Sequence, residues 1–309
     1  MSFWNKMKNN KIIFVIFFSC IILFCLFQVS NKKIIEKMEG AKINNKMKGD
    51  NKMVYIYAYY EKNDLYKKNF IHFLKNGGIL DDIDYYIVIN GKYTVDIPDL
   101  PNIQVINREN KGFDFGAYSH LINNLENMKD YDYYIFSNAT IIGPYVKQSD
   151  KVWIDEFIDL FNSSTTTKVG IVGTSVCFIS REQLPTNIFN DDESDRYFVQ
   201  SQFFMLTSDY FHFLKKINFF NEQLMNETIF QNVLYEEIKM STHALTNGWN
   251  INCYLNKYKD LDFVNLRQDI NPTSFGGDSY YKNRYFGNTI DKYDVIFLKN
   301  KRFLQDEQR

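Results

Sequence analysis

Cysteine is sparse: four occur in 309 residues, and none forms a C-x-x-C pair. Cys20 and Cys25 fall in an apolar N-terminal run, which leaves Cys177 and Cys253 for the rest of the chain. A zinc ribbon and a thioredoxin-type redox site are thereby excluded. The four histidines (His72, His120, His212, His243) are scattered and build no H-E-x-x-H pattern, so a transition-metal site is not expected. No P-loop and no G-x-G-x-x-G is present, which removes the commonest nucleotide signatures. Net charge is lacking too. Lys and Arg number 36 against 37 Asp and Glu, a balance of −1, whereas binding nucleic acid needs a basic excess gathered on one face. Glycine (14) and proline (5) are scarce, while 45% apolar and 24% charged residues are ordinary for a globular protein rather than a disordered one. What is abundant is aromatic: 28 Phe and 22 Tyr. Lys, Asn, Ile, Phe and Tyr recur throughout, as in AT-rich coding sequence, so this excess is read as codon bias and not as function.

Residues 12–29 (IIFVIFFSCIILFCLFQV) carry no charge. As a helix they would extend about 27 Å, near the thickness of a thin secretory-pathway bilayer. A cleaved signal peptide would share the basic residues Lys6, Lys8 and Lys11, but no A-x-A-like site follows and the run is long for its apolar core. A buried core helix is seldom so uniformly apolar. The reading adopted is a single membrane anchor at 12–29, preceded by a basic tail (1–11) and followed by a polar stem (30–52). Lysines flank the run on both sides, so the positive-inside count does not decide orientation. A secretory-pathway membrane (ER/Golgi type) with the C-terminal part lumenal is the architectural expectation. Sequons at Asn162 and Asn226 are compatible with it, though such triplets are frequent by chance in an Asn-rich chain.

Residues 53–309 fit one large domain. Apolar runs at 53–58, 85–90, 103–106, 133–137 and 169–173 predict strands, with helices over 64–76, 114–127 and 152–162 between them. A strand at 198–206, helices at 209–216 and 226–246, and strands at 250–255 and 295–298 complete the reading. Strands alternating with helices argue for a largely parallel sheet covered on both faces. Ligands of such sheets bind beyond the carboxyl ends of the strands.

Three segments carry candidate chemistry. In 107–118 (NRENKGFDFGAY), between a strand and a helix, Gly112 permits a tight turn, Asp114 can cap or precede the helix, and Arg108 and Lys111 can neutralise a diphosphate. The structural alternative is an ordinary capped helix. In 131–144 a buried strand exits through Ser137, Asn138, Ala139 and Thr140 to Gly143-Pro144. None of these exit residues is an anion, whereas a hard divalent cation prefers carboxylate oxygen; a plain strand-to-turn exit explains the segment equally. In 235–250, Glu236 and Glu237 lie on a helix that ends at Gly248, and either carboxylate is able to take a proton from a hydroxyl. Exposed helix glutamates are commonplace.

Taken together and in order, these segments resemble GT-A-type glycosyltransferases, a likeness to the large inverting family and more closely to the rhamnan-synthesis F-like branch and related viral and algal transferases. The Asn-x-Gly-x-Asp-Phe-Gly-Ala-Tyr block of that branch is matched by Asn110, Gly112, Asp114, Phe115, Gly116, Ala117 and Tyr118. Its Tyr-Asp-Tyr strand leading to Asn and Gly-Pro is matched by 131–133, Asn138, Gly143 and Pro144. A Val-Gln-Ser segment with aromatics resembles Val199, Gln200, Ser201, Phe203 and Phe204. The Glu-Ile-x-x-Ser helix with Gly-aromatic is similar to Glu237, Ile238, Ser241, Gly248 and Trp249, and a closing Phe-x-Lys-x-x-Arg to Phe297, Lys299 and Arg302.

The resemblance implies a GT-A-like, mostly parallel (Rossmann-like) α/β sheet with helices on both faces, preceded by the transmembrane helix. It implies a hexosyl- or deoxyhexosyltransferase that uses a nucleotide-sugar donor and a glycan or glycoprotein acceptor. Donor contacts fall to Arg108, Asn110, Lys111, Gly112, Asp114, Asn138, Thr140, Lys299 and Arg302. The acceptor pocket takes Gln200 and Ser201. Glu237 matches the general base, with Glu236 beside it, and a carboxylate base implies inversion. Asn138 and Thr140 occupy the place of the usual Asp-x-Asp, a departure that bears on whether Mg or Mn is used. Without the cation, fixed positive groups and helix dipoles would stabilise the leaving diphosphate. A non-catalytic carbohydrate-binding or scaffold protein on a degenerate transferase fold is the alternative.

Overall fold

The computed structural model describes residues 50–125, 130–147, 152–162, 167–180, 182, 196–221, 228–266, 269–274 and 277–300. The expected anchor at 12–29, nearly all of the stem, and Arg302 lie outside them. Among the described residues no helix is long and apolar enough to cross a membrane.

The first strand shows how this sequence builds its layers. In β1 (Met53–Tyr59) every residue is buried. Val54, Ile56 and Ala58 join one apolar cluster, while Met53, Tyr55, Tyr57 and Tyr59 join the other. The period of two sends alternate side chains to opposite faces, so a strand covered on both faces reads as an unbroken apolar run. β2 (Ile83–Asn90) and β4 (Tyr133–Asn138) flank β1 in parallel, and β3 (Ile103–Arg108) adds beyond β2. With β5 (Val169–Gly173), β8 (Phe203–Thr207) and β9 (Asn250–Cys253), the seven-stranded order is β3-β2-β1-β4-β8-β5-β9. β8 alone runs antiparallel to its neighbours, so its first residue, Phe203, pairs with Ser137 near the end of β4. A separate two-stranded sheet joins β6 (Val176–Ile179) to β7 (Arg196–Val199).

Helices cover both faces. α1 (Asp64–Lys75) and α3 (Trp153–Phe161) pack on the cluster containing Tyr55 and Tyr57. α2 (Phe113–Asn124) and α4 (Ser208–Lys216) pack on the opposite one. The Asn63 side chain caps α1 by accepting from Tyr66 N at 3.0 Å. The helix stops at Lys75, just before Gly77 in the left-handed region (φ 84°). The aromatic residues discounted as codon bias are the filling of both layers. Phe136 stacks on Phe204 at 4.7 Å and Tyr134 on Phe211 at 3.6 Å, and on the other face Phe203 stacks on Phe297 at 4.6 Å.

The mostly parallel α/β reading describes the observed sheet; several elements differ from expectation. The strand read over 198–206 is two strands in two sheets, because the chain turns at Gln200–Gln202 to pass from β7 to β8. β6 was not foreseen. The late strand at 295–298 does not form: Ile296 sits at φ 63°, outside the β region, and Leu298 makes only an isolated bridge to Ile142. The helix read over 226–246 is described from α5 (Ile229–Asn232) through a π-helical segment (Val233–Ile238) into α6 (Lys239–Thr246). Gly248, at φ 82°, follows its end, where the sequence placed the stop.

Candidate active site

The carboxyl ends of β1, β2, β3 and β4 open toward one rim, and the antiparallel β8 starts there. A cleft of about 410 Å³ occupies this rim. Tyr60 and Lys62 after β1, Asn90 at the end of β2, and Asn110, Phe113 and Asp114 at the start of α2 contribute to its wall. Asn138 and Thr140 after β4, Ser201 and Gln202 before β8, Asn232 of α5, Glu237 of the π-helical segment, and Lys299 complete it.

The loop leading into α2 is forced into shape by sterics. Gly112 (φ 69°) and Phe113 (φ 54°) are successive left-handed residues. For a bulky residue such as Phe this costs about 1–3 kcal/mol, which the surroundings must offset. They do so through Asn90, whose Nδ2 donates to Phe113 O at 3.1 Å. Arg108 braces the same loop: Nη1 donates to Asn90 Oδ1 (2.7 Å) and Nη2 to Lys111 O (2.8 Å). Gly116 lets the helix sit against this loop, since a Cβ there would lie 2.2 Å from Lys111 O. Gly112, not Asp114, occupies the helix N-cap, without a side-chain cap bond.

Asp114 is used otherwise. Its Oδ2 accepts from Asn138 Nδ2 at 2.7 Å, and its Oδ1 accepts from Asn232 Nδ2 (3.2 Å) and Phe115 N (3.1 Å). One carboxylate thus ties α2 to the end of β4 and to α5. Burial raises its pKa, and these hydrogen bonds partly offset the rise. Asn138 Oδ1 in turn accepts from Thr140 N (3.0 Å) and Thr140 Oγ1 (2.6 Å).

Across the cleft Glu237 is 8% exposed. Ser201 N donates to its Oε1 at 3.0 Å and Ser201 Oγ to its Oε2 at 3.2 Å. Burial pushes the Glu237 carboxyl up to about 7; the Lys299 charge and the Ser201 bonds act against burial, and the Asp114 charge acts with it. A carboxylate that titrates near neutrality in a cleft is suited to take or give a proton at physiological pH. Residues five apart lie about 140° apart around an α-helix, at 100° per residue. The π-helical winding, with its i→i+5 bonds, instead brings Asn232 and Glu237 toward one side, and both line the cleft.

Of the residues singled out from sequence, Asn110, Asp114, Asn138, Thr140, Ser201, Glu237 and Lys299 meet in this cleft. Others do not. Arg108 is engaged under the α2 loop, Lys111 pairs with Glu109 at 2.7 Å on the surface, and Gly112 shapes the turn. Gln200 is buried and accepts from Ser175 Oγ at 2.5 Å. Glu236 faces a different groove with Tyr235, Lys239 and His243, so the two adjacent glutamates serve different surfaces. Sequence reasoning missed Tyr60, Lys62, Asn90, Phe113, Gln202 and Asn232. For Tyr60, Lys62 and Asn90, position at or just after the ends of β1 and β2 was the available signal.

A divalent cation needs several oxygen ligands, carboxylates foremost. Among the described residues no group of three His, Cys, Asp or Glu side chains is placed to hold one. At the Asp-x-Asp position the amide of Asn138 donates to Asp114 and its oxygen is engaged by Thr140. This donor set does not fit Mg or Mn.

No protein-family model matches the chain, and no curated protein matches it. Solved structures with partial similarity include the galactosyltransferase LgtC in complex with donor and acceptor sugar analogues (10% identity, TM-score 0.34, covering 59% of this chain and 70% of that one). A mannosyltransferase from Pyrobaculum calidifontis, in complex with GDP-Man and Mn2+, gives 11% identity and a TM-score of 0.38 over 66% of this chain and 54% of its own. The glycosyltransferase GlyE of Streptococcus pneumoniae TIGR4 gives 9% and 0.31, over 65% and 45%. The chain spans about half the length of these last two. At TM-scores below 0.5, the likeness carries no conclusion about this chain.

Proposed function

We propose that the chain is a glycosyltransferase of the GT-A type, moving a hexosyl or deoxyhexosyl group from a nucleotide sugar to a glycan or glycoprotein. The observation that carries this reading is Glu237: a buried carboxylate near neutrality, held by Ser201, in the same rim cleft as Asp114 and the Asn138–Thr140 turn. The ordered motif resemblance supports it. In the reaction, an acceptor hydroxyl gives its proton to Glu237 as its oxygen bonds to the anomeric carbon. The bond from that carbon to the diphosphate oxygen breaks, and the nucleoside diphosphate leaves with the electron pair. In-line attack of this kind inverts the anomeric centre. Asp114 shapes the donor side of the cleft, and Asp114→Asn is expected to weaken nucleotide-sugar binding in calorimetry. Residues 12–29 anchor the protein in a secretory-pathway membrane with the domain lumenal, which protease protection of sealed microsomes tests.

Glu237→Gln tests the central assignment. It is expected to abolish sugar transfer while nucleotide-sugar affinity is retained. Turnover equal to that of the parent chain removes Glu237 from the mechanism. The absence of an acid at Asn138 favours a second reading, a glycan-binding protein without catalysis. Glycan binding with no transfer or donor hydrolysis across a nucleotide-sugar panel would select it.

A further inference from the structure

Resting on the transferase reading, we infer that this cleft holds the diphosphate of a nucleotide without a divalent cation, its charge met by the ammonium groups of Lys62 and Lys299. The first support is the state of the oxygens at the rim. Both oxygens of Asp114 accept amide N–H groups, and Asn138 Oδ1 accepts from the Thr140 amide and hydroxyl. To ligate a cation, Asp114 would have to give up the bonds that join α2, β4 and α5. A single carboxylate would then face an ion that prefers several. The other acid of the cleft, Glu237, is already bound by Ser201 through both oxygens.

The second support is the pair of lysines. Both line the cleft, and neither is in a salt bridge among the described residues. Lys299 is held firmly despite lying in an irregular segment. On one side Leu298 exchanges two backbone hydrogen bonds with Ile142, at 2.8 and 2.9 Å. On the other, Asn300 and Asn69 exchange side-chain hydrogen bonds at 2.9 and 3.3 Å, and Asn69 Nδ2 also donates to Ala139 O at 2.9 Å. The chain carrying Lys299 is therefore tied to the Asn138–Thr140 turn, where an acid-held cation would otherwise be sought. Lys62 approaches from the exposed loop after β1. An ammonium group is a point charge with three donors, which suits phosphate oxygens.

Calorimetry of the full-length chain with UDP, GDP and inorganic pyrophosphate, in EDTA and then in excess Mn2+, tests this. Affinity is expected to agree within about twofold between the two buffers and to fall as KCl is raised. Lys299→Met and Lys62→Met are each expected to weaken binding by about tenfold in EDTA, and Lys299→Arg to retain most of it. Lys62 is exposed, so its variant serves even where Lys299→Met fails to fold. Tightening by Mn2+ of about tenfold or more overturns the inference and leaves the transferase reading standing. Binding that ignores both lysine substitutions also overturns it. Failure of all three probes to bind in either buffer overturns the transferase reading and the inference with it.

Discussion

The Glu237 carboxyl makes a prediction about stability that needs no knowledge of the substrate. Its pKa in the fold is about 7, raised from an ordinary 4.5 chiefly by burial. Below pH 4.5 the group is protonated in both folded and unfolded chains, and the fold carries no charge penalty. Between 4.5 and 7 the unfolded chain releases the proton more readily, so the folded state loses stability as pH rises; the loss is complete above about pH 7. At about 1.4 kcal/mol per tenfold, the full effect is about 3 kcal/mol. Glu237→Gln removes this term at pH 8. The amide keeps both Ser201 contacts, its oxygen accepting from Ser201 N and its N–H donating to Ser201 Oγ, whose hydroxyl can accept as well as donate. The gain is about 3 kcal/mol, or about 6–12 °C in melting temperature for a domain of this size. At pH 4.5 the parent carboxyl is neutral, so the advantage vanishes and the two chains should melt close together. Thermal unfolding of both chains from pH 4.5 to 8.5, followed by circular dichroism, measures the difference. A difference that does not change with pH, or a variant less stable at pH 8, would refute the burial argument. Since the same substitution is expected to abolish transfer, stability gained with activity lost would mark a group kept for chemistry and not for folding.

Other substitutions probe the rest of the rim and the layers beneath it. Asn138→Asp sets a second carboxylate at the 2.7 Å contact with Asp114; the variant should be destabilised at pH 8, recover at pH 5 as the pair takes up a proton, and gain melting temperature with Mn2+ where the parent does not. Gly116→Ala drives a methyl to 2.2 Å from Lys111 O and should cost about 1–3 kcal/mol in urea unfolding; parent-like stability would show that the α2 loop is not packed as described. Phe136→Ala opens a hole among Phe204, Phe220 and Tyr118 and should cost about 3–5 kcal/mol by the same measurement.

Much of the first half of the fold was legible in the sequence because its signals are local. Runs such as 53–58 and 85–90 are too apolar for a half-exposed strand, and they proved to be central strands buried on both faces. Gly112 marked the tight turn into α2, which it makes in the left-handed region at φ 69°. The second half was less legible because its structure is set by contacts distant in sequence. The apolar and aromatic residues on either side of Gln200–Gln202 read as one strand over 198–206. Only the pairing of Val199 with Val176 and of Phe203 with Ser137 reveals that two sheets share the segment. Likewise 295–298 has the composition of a strand but folds as a buried, irregular strap fixed by Ile142 and Asn69.

The site follows the same division. A helical reading of 226–246 presents Glu236 and Glu237 as equal candidates, since α-helical periodicity contains no information on a π turn. The structure separates them: the π segment turns Glu237 to Ser201 and into the cleft, and leaves Glu236 beside Lys239 and His243. π turns interrupt the regular hydrogen-bond ladder and recur where a helix must aim a particular side chain. Here the aim is shared, because Asn232 at the head of the same turn reaches Asp114 at 3.2 Å while Glu237 faces Ser201. One irregularity in winding therefore places the Glu237 carboxyl in the cleft and also binds the helix to the start of α2, which shapes the other wall. A change that restored plain α-helical winding would be felt at both walls at once, although none of the residues that line them had been altered.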